Sequence, residues 1–275
     1  MARGSVLSGR VATPARSSPA GAAIVMSVVA ALSLAMVLPQ ATGKWAAAAL
    51  TLLLVLAVAC RAIYAVHMAL LALVWILLVG LVPFFQRWPF AMLAPLAVYG
   101  AAVALTPQLR GSIGWLHAGR SGRDVRILAI ATVVGSAAAL FAWTALTRPE
   151  LRHHLALVPA LPLWAYPVAA AGFAALNAAL EEAVFRGVMM EALDSALGEG
   201  YRSIGTQAAS FAALHYLAGF PSGAVGVVMT FVYGVMLGVI RRRSGGLLAP
   251  WFTHVAADIA IFSILAAIVF RGGAP

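Results

Sequence analysis

The chain has 275 residues, of which 63% are hydrophobic and 9% charged, with a mean hydropathy of +0.98. This composition excludes an ordinary soluble domain and requires several helices embedded in a lipid bilayer. The net charge of +10 does not indicate a nucleic-acid partner, because the basic residues stand singly or in small groups at the ends of apolar runs, where they set orientation.

The first part of the chain is predicted to hold a tail and five helices. Residues 1–20 carry three arginines among Gly, Ser, Pro and Ala, which is typical of a disordered tail. Residues 21–160 form the expected N-terminal transmembrane region, with helices at 21–38, 45–59, 62–85, 88–106 and 127–146. The polar stretch 107–126 is predicted to be a loop.

Residues 161–275 are predicted to hold four further helices, at 163–197, 203–218, 224–240 and 247–270. The first of them is too long for a hydrocarbon core of ~30 Å, so we expect it to tilt or to project from the membrane. The sequence therefore predicts an all-α fold, a polytopic transmembrane bundle of about eight or nine spans.

Three charged residues stand inside the apolar run of the sixth helix: Glu181, Glu182 and Arg186. A charge at mid-bilayer costs at least ~2.5 kcal/mol, so each needs a partner or a polar cavity. Glu182 and Arg186 are four residues apart in the favourable order for an ion pair, which indicates a supporting role. Glu181 points ~100° away from Glu182 and has no local cation, so it is free to face another helix.

Two later helices carry polar residues in apolar surroundings. His215 ends the run Phe211-Ala-Ala-Leu-His215, and His254 begins the run His254-Val-Ala-Ala-Asp258. Taken in order, Glu-Glu-x-x-x-Arg, Phe-x-x-x-His and His-x-x-x-Asp resemble the motifs of the CAAX-protease and bacteriocin-processing (CPBP, or Abi) family of intramembrane proteases. The resemblance implies an endopeptidase whose catalytic core is the four helices of residues 161–275.

The resemblance also implies roles for the motif residues. Glu181 and His215 would activate a water molecule, and His254 with Asp258 would stabilise the oxyanion. Phe211 is expected to pack beside His215. Asp258 departs from the commoner asparagine: an ionised aspartate cannot donate a hydrogen bond to an oxyanion, so it must be protonated or must orient His254.

We expect no cofactor, although zinc is an alternative. Glu181, His215, His254 and Asp258 together form a plausible zinc ligand set, but none of them has a local metal-ligand spacing. The single cysteine, Cys60, excludes a site built from cysteine pairs.

The expected substrate is a membrane-associated protein or peptide, cleaved at a C-terminal tail, a sorting signal or a leader. Other readings stay open, namely a non-enzymatic membrane protein for immunity or scaffolding, and a proton-coupled carrier. The Ala-, Arg- and Gly-rich composition points to a bacterial inner membrane, and the excess of arginine in alternate loops predicts a cytoplasmic N-terminus.

Overall fold

The computed structural model describes residues 14–147 and 160–272 apart from 218, together with residues 149, 151, 155 and 158. Most of the predicted tail, residues 1–13, lies outside the described residues. Residues 14–18 have no regular structure, and Ser17 donates its backbone N–H to the carbonyl of Ser195 at 2.9 Å. The first helix begins at Pro19, where Ser18 caps it by accepting a hydrogen bond from the Gly21 N–H.

The described residues contain nine helices of more than eight residues and no strand. They are α1 (Pro19–Val37), α2 (Pro39–Ala59), α3 (Ile63–Leu81), α4 (Phe90–Leu105), α5 (Arg123–Thr147), α6 (Leu163–Leu197), α7 (Tyr201–Leu214), α8 (Gly223–Ser244) and α9 (Leu248–Gly272). A 3₁₀ turn at Pro83–Gln86 and a single helical turn at Pro107–Arg110 lie between them.

Each predicted span corresponds to one of these helices, but they differ in length. Six are long and apolar enough to cross a membrane: α1, α3, α5, α6, α8 and α9. The apolar part of α2 and all of α4 are shorter, and α7 has 14 residues. At 1.5 Å per residue α7 measures ~21 Å, less than a ~30 Å core, so the prediction of a full span to residue 218 is too long. The protein is a multi-pass, all-helical membrane bundle.

The motif helices occupy the centre of this bundle. Helix α6 packs along α9, α7 packs along α8, and α5 covers α8 and α9. Helix α1 contacts both α7 and the last part of α6. A hydrogen bond of 2.6 Å between the hydroxyls of Ser33 and Ser210 joins α1 to α7. The N-terminal helices therefore support the helices that carry the motifs.

The segment 111–122, predicted as a polar loop, lies across the ends of α6 and α9. The N–H of Gly114 donates to Glu191 Oε1 at 2.8 Å. The Leu247 N–H donates to the His117 carbonyl at 2.8 Å, and the Arg120 N–H to the Ser244 carbonyl at 2.7 Å. These bonds pair the backbone of the segment with the turn between α8 and α9, so the segment is held rather than free in solvent.

Candidate active site

Helix α6 changes its winding at the three motif charges. It is α-helical from Tyr166 to Glu181, π-helical from Glu182 to Met189, and α-helical again to Leu197. A π-helix bonds residue i to i+5, and such segments are frequent at functional sites. The π-segment begins directly after Glu181, so the change of winding helps to set the directions of the two glutamates.

Glu182 is 1% exposed and lies between an arginine and a histidine. Arg186 Nη1 donates a hydrogen bond to Glu182 Oε1 at 3.0 Å, so the contact predicted from the four-residue spacing is present. The same oxygen accepts a hydrogen bond from His254 Nδ1 at 2.8 Å. Glu182 thus joins α6 to α9 as well as holding the arginine of its own helix.

Arg186 is 1% exposed and is enclosed by polar and aromatic partners. Its guanidinium lies 4.3 Å above the centre of the Phe211 ring, a cation–π distance. A second guanidinium nitrogen, Nη2, lies 3.4 Å from the Gly234 carbonyl oxygen. This oxygen also accepts a hydrogen bond of 2.8 Å from Gln207 Nε2. Arginine is the suitable cation here because its planar group can bond to a carboxylate and stack on a ring at once.

Glu181 contacts His254 of α9. Its Oε1 accepts a hydrogen bond of 3.2 Å from Asn177 Nδ2, one turn earlier in α6. Its Oε2 lies 3.4 Å from His254 Nε2, is buried, and accepts no hydrogen bond from the described residues. One carboxylate oxygen of Glu181 is therefore hydrogen-bonded to Asn177, and the other lies beside the imidazole of His254.

Asp258 faces the same two partners as Glu181. Its Oδ2 accepts a hydrogen bond of 3.1 Å from Asn177 Nδ2, and its Oδ1 lies 3.7 Å from His254 Nε2. Asp258 is 4% exposed, so it is as buried as the rest of the cluster. The position beside His254 agrees with an orienting role, while that role itself stays a prediction.

His215 lies just after the last residue of α7 and is only partly buried. Its Nδ1 donates to the Phe211 carbonyl at 3.0 Å, and its ring lies 4.7 Å from the Phe211 ring. No hydrogen bond among the described residues joins His215 to Glu181, although the motifs predicted that the two act together. Phe211 stands between the histidines, since its ring is also 6.0 Å from that of His254.

Two residues of the cluster were missed in the sequence analysis. Asn177 is the only asparagine in the chain, and it stands in an apolar run one turn before Glu181, which is a signal that could have found it. Trp88 donates its indole N–H to Asn177 Oδ1 at 3.1 Å, and no local pattern predicts that contact.

The zinc alternative stays a prediction, and the arrangement of the four candidate ligands can be described. Among the described residues, no group of three or more His, Cys, Asp or Glu side chains is placed to hold a metal ion. The ring nitrogen Nδ1 of His254 bonds to Glu182, and Nδ1 of His215 bonds to a backbone carbonyl. On the other side of its ring, His254 Nε2 lies 3.4 Å from Glu181 Oε2 and 3.7 Å from Asp258 Oδ1, whereas no hydrogen bond or ion pair among the described residues joins His215 to these three side chains.

A polar cavity of about 610 Å³ lies where the segment 111–122 meets α6 and α8. Arg186 and Glu191 line it from α6, and Arg241 lines it from α8. Because Arg186 also contacts Glu182, the wall of this cavity adjoins the buried cluster. The cavity provides a polar approach to the cluster from the end of the bundle that carries the arginines 241–243.

The fold and the cluster together define an integral membrane protein with a buried group of carboxylates and histidines between its central helices. Residues 162–260 match the model of the family described as Type II CAAX prenyl endopeptidase Rce1-like, which belongs to the CPBP family. The match contains all three motifs and confirms the predicted resemblance. Comparison of the chain with curated proteins and with solved structures gives no match. The match to this family supports intramembrane endopeptidase activity for this protein, without showing a substrate or a mechanism.

Proposed function

We propose that this protein is an intramembrane endopeptidase in which Glu181 takes a proton from a water molecule. One observation carries the proposal: a buried carboxylate with a free oxygen, Oε2, lies beside the imidazole of His254 at 3.4 Å, inside the region matched to an endopeptidase family. A carboxylate in such surroundings can accept a proton from water while neighbouring N–H groups bind the oxyanion.

The proposed reaction is hydrolysis of one peptide bond. The water oxygen forms a bond to the scissile carbonyl carbon, and one proton of the water goes to Glu181. The carbonyl oxygen carries the negative charge of the tetrahedral intermediate. The carbon–nitrogen bond then breaks, and the leaving nitrogen takes the proton from Glu181.

The hydrogen bonds of the two histidines support different roles. Since the Phe211 carbonyl oxygen can only accept a hydrogen bond, His215 carries its hydrogen on Nδ1, and a neutral ring leaves Nε2 as an acceptor for water. His254 donates from Nδ1 to Glu182 and has the carboxylates of Glu181 and Asp258 near Nε2, so in this proposal its ring is doubly protonated and Nε2–H is the donor for the oxyanion. This division agrees with the roles that the motifs imply, with His215 near the water and His254 near the oxyanion.

In this proposal Glu182 and Arg186 position the site without touching the reacting atoms. Glu182 fixes the tautomer and direction of the His254 ring through the 2.8 Å bond to Nδ1. Arg186 balances the charge of Glu182 and rests on Phe211. Phe211 then serves as the packing surface shared by the arginine and both histidines.

We propose that water and substrate arrive from the cytoplasmic side. Arg16 lies beside Gly198, Arg242 bonds to Asp194 at 2.6 Å, and Arg120 bonds to the turn after α8. These three arginines therefore lie at one end of the bundle, as expected of a cytoplasmic face. The polar cavity beside Arg186 opens near this end.

The substrate class we favour is a protein or peptide with a scissile bond near the membrane. The family description names a CAAX prenyl endopeptidase, but a prenylated substrate does not follow from this match alone. The composition of the chain favours a bacterial host, in which a C-terminal tail, a sorting signal or a leader is the expected target.

The test is a comparison of protein termini in membranes. Cells that lack the protein are complemented with the wild type or with Glu181→Gln at equal abundance, and the N- and C-termini of membrane proteins are sequenced. We expect new termini near membrane segments that appear with the wild type and not with Glu181→Gln. Termini that are the same in both strains would refute a protease that uses Glu181.

The same comparison addresses the two other function classes. A scaffolding or immunity protein would act equally well in both strains, and no termini would change. A proton-coupled carrier would move solute across proteoliposomes without releasing any peptide, and buried carboxylates are common in such proteins. Release of a defined peptide fragment in proteoliposomes separates the endopeptidase from both.

A further inference from the structure

Four side chains of the cluster form a closed circuit. Asn177 bonds to one oxygen of Glu181 and to one oxygen of Asp258, at 3.2 and 3.1 Å. The other oxygen of each carboxylate lies near His254 Nε2, at 3.4 and 3.7 Å. Each carboxylate therefore spans from the amide on one side to the imidazole on the other.

The direction of the Asn177 amide is determined by its third partner. The indole of Trp88 can only donate, so the atom that faces it must be the carbonyl oxygen Oδ1. The NH₂ group then points to the opposite side, where the two carboxylates are. Two N–H bonds meet two acceptors, which uses the full donor capacity of the amide.

Two carboxylates this close would repel each other without a shared donor. The N–H groups of Asn177 stabilise both and fix the distance between them. They also occupy Oε1 of Glu181, which leaves Oε2 as the oxygen available for a water proton. The amide thus selects which oxygen of Glu181 can react.

We propose that Asn177, oriented by Trp88, is a positioning residue that holds Glu181 and Asp258 as a pair facing His254. The inference rests on the proposed endopeptidase function for its effect on catalysis, although the circuit itself can be tested without activity. It also links the 83–89 connection between α3 and α4 to the chemistry, since Trp88 belongs to that connection.

A structural test uses the fact that Asn177 is the only asparagine. The protein grown with ¹⁵N-asparagine and reconstituted in nanodiscs gives a single side-chain NH₂ signal by NMR. We expect this signal to shift in Glu181→Gln, in Asp258→Leu and in Trp88→Phe, none of which adds a second asparagine. The matched control is Trp164→Phe, which removes an indole from a 77% exposed position at the start of α6. An Asn177 signal that is unchanged in all three variants would overturn the circuit.

A kinetic test separates positioning from packing. Asn177→Leu keeps a side chain of similar size in an apolar helix but removes both donors, and Asn177→Asp keeps the shape but has no N–H group. We expect kcat to fall at least tenfold in both variants, with KM within about twofold of the wild-type value. In Trp88→Phe we expect kcat to fall by a smaller factor. A residue needed only for packing would leave Asn177→Leu near the wild-type kcat, and that result would refute the proposal.

The results of these tests distinguish a wrong proposed function from a wrong role for Asn177. If the wild-type protein cleaves nothing while the NMR signal moves as expected, the proposed function is wrong and the circuit stands. If cleavage depends on Glu181 but not on Asn177, the function stands and the positioning role is refuted.

Discussion

His254 Nδ1 donates a hydrogen bond of 2.8 Å to Glu182 Oε1, which connects the last helix to the longest one inside the bundle. The same oxygen accepts from Arg186 at 3.0 Å. The second glutamate of the motif is therefore shared between a cation of its own helix and a histidine of another. Removing its charge affects both contacts at once.

We predict that Glu182→Gln mainly lowers stability. The substitution leaves Arg186 buried without its carboxylate, and breaking a buried pair costs about 3–5 kcal/mol. The midpoint of thermal unfolding in detergent should fall clearly. Glu199→Gln is the control, because the Glu199 side chain is 41% exposed, lies 3.7 Å from Arg242, and should change stability by less than about 1 kcal/mol. Equal midpoints for Glu182→Gln and the wild type would contradict the supporting role.

The position of the His215 ring depends on Gly219, four residues later in the chain. A Cβ atom at Gly219 would overlap the His215 ring. We expect Gly219→Ala to displace the ring and to lower kcat about tenfold, because a misplacement near 1 Å can cost up to ~100-fold. Gly205→Ala in α7 is the matched control, since nothing lies within 4 Å of its added Cβ. Loss of activity in the control alone, or in neither variant, would show that this contact does not position His215.

A chelator distinguishes the proposed mechanism from a zinc-dependent one. We expect activity to survive a membrane-permeant chelator and the purified protein to carry no stoichiometric zinc, because none of the four candidate ligands has a local metal-ligand spacing and no group of three or more His, Cys, Asp or Glu side chains among the described residues is placed to hold a metal ion. Cleavage of a fixed substrate before and after chelation, together with elemental analysis, checks this. One zinc per chain, lost together with activity, would overturn the water activation by side chains.

Orientation in the membrane can be measured with single cysteines in a Cys60→Ser background. A cysteine at Ser121, at the basic end of the bundle, should be shielded from an impermeant thiol reagent in intact cells. A cysteine at Gln86, at the other end, should label; both positions are exposed. The reverse pattern would place the cavity beside Arg186 on the outer side of the membrane and contradict access from the cytoplasm.

Much of the fold follows from apolar runs and their breaks. The bounds of α6 are those expected from the run that ends at Gly198, because length and hydropathy determine a membrane helix. Helix α7 is shorter than predicted, since its apolar run continues past His215 although the helix ends there. The π-segment of α6 could not be predicted, because no local propensity distinguishes it from an α-helix.

The residues of the cluster were predictable, whereas several of their contacts were not. Each motif residue is polar in an apolar helix, and that pattern is visible in the sequence. The pairing of Glu181 with His254 rather than His215 depends on how α6 crosses α9, which is a tertiary property. Asn177 was overlooked because it belongs to none of the three motifs, and Trp88 because it reaches the cluster from a distant connection.

The central claim is that Glu181 is the base, and one kinetic comparison tests it most directly. A substrate identified from membrane-protein termini is reconstituted with the purified protein, and kcat is measured for the wild type and for Glu181→Gln, whose folding is checked by thermal unfolding. Glutamine keeps the shape and the bond from Asn177 but cannot accept the proton, so kcat should fall by at least ~100-fold with little change in the unfolding midpoint. A folded Glu181→Gln protein that cleaves at the wild-type rate would contradict the account.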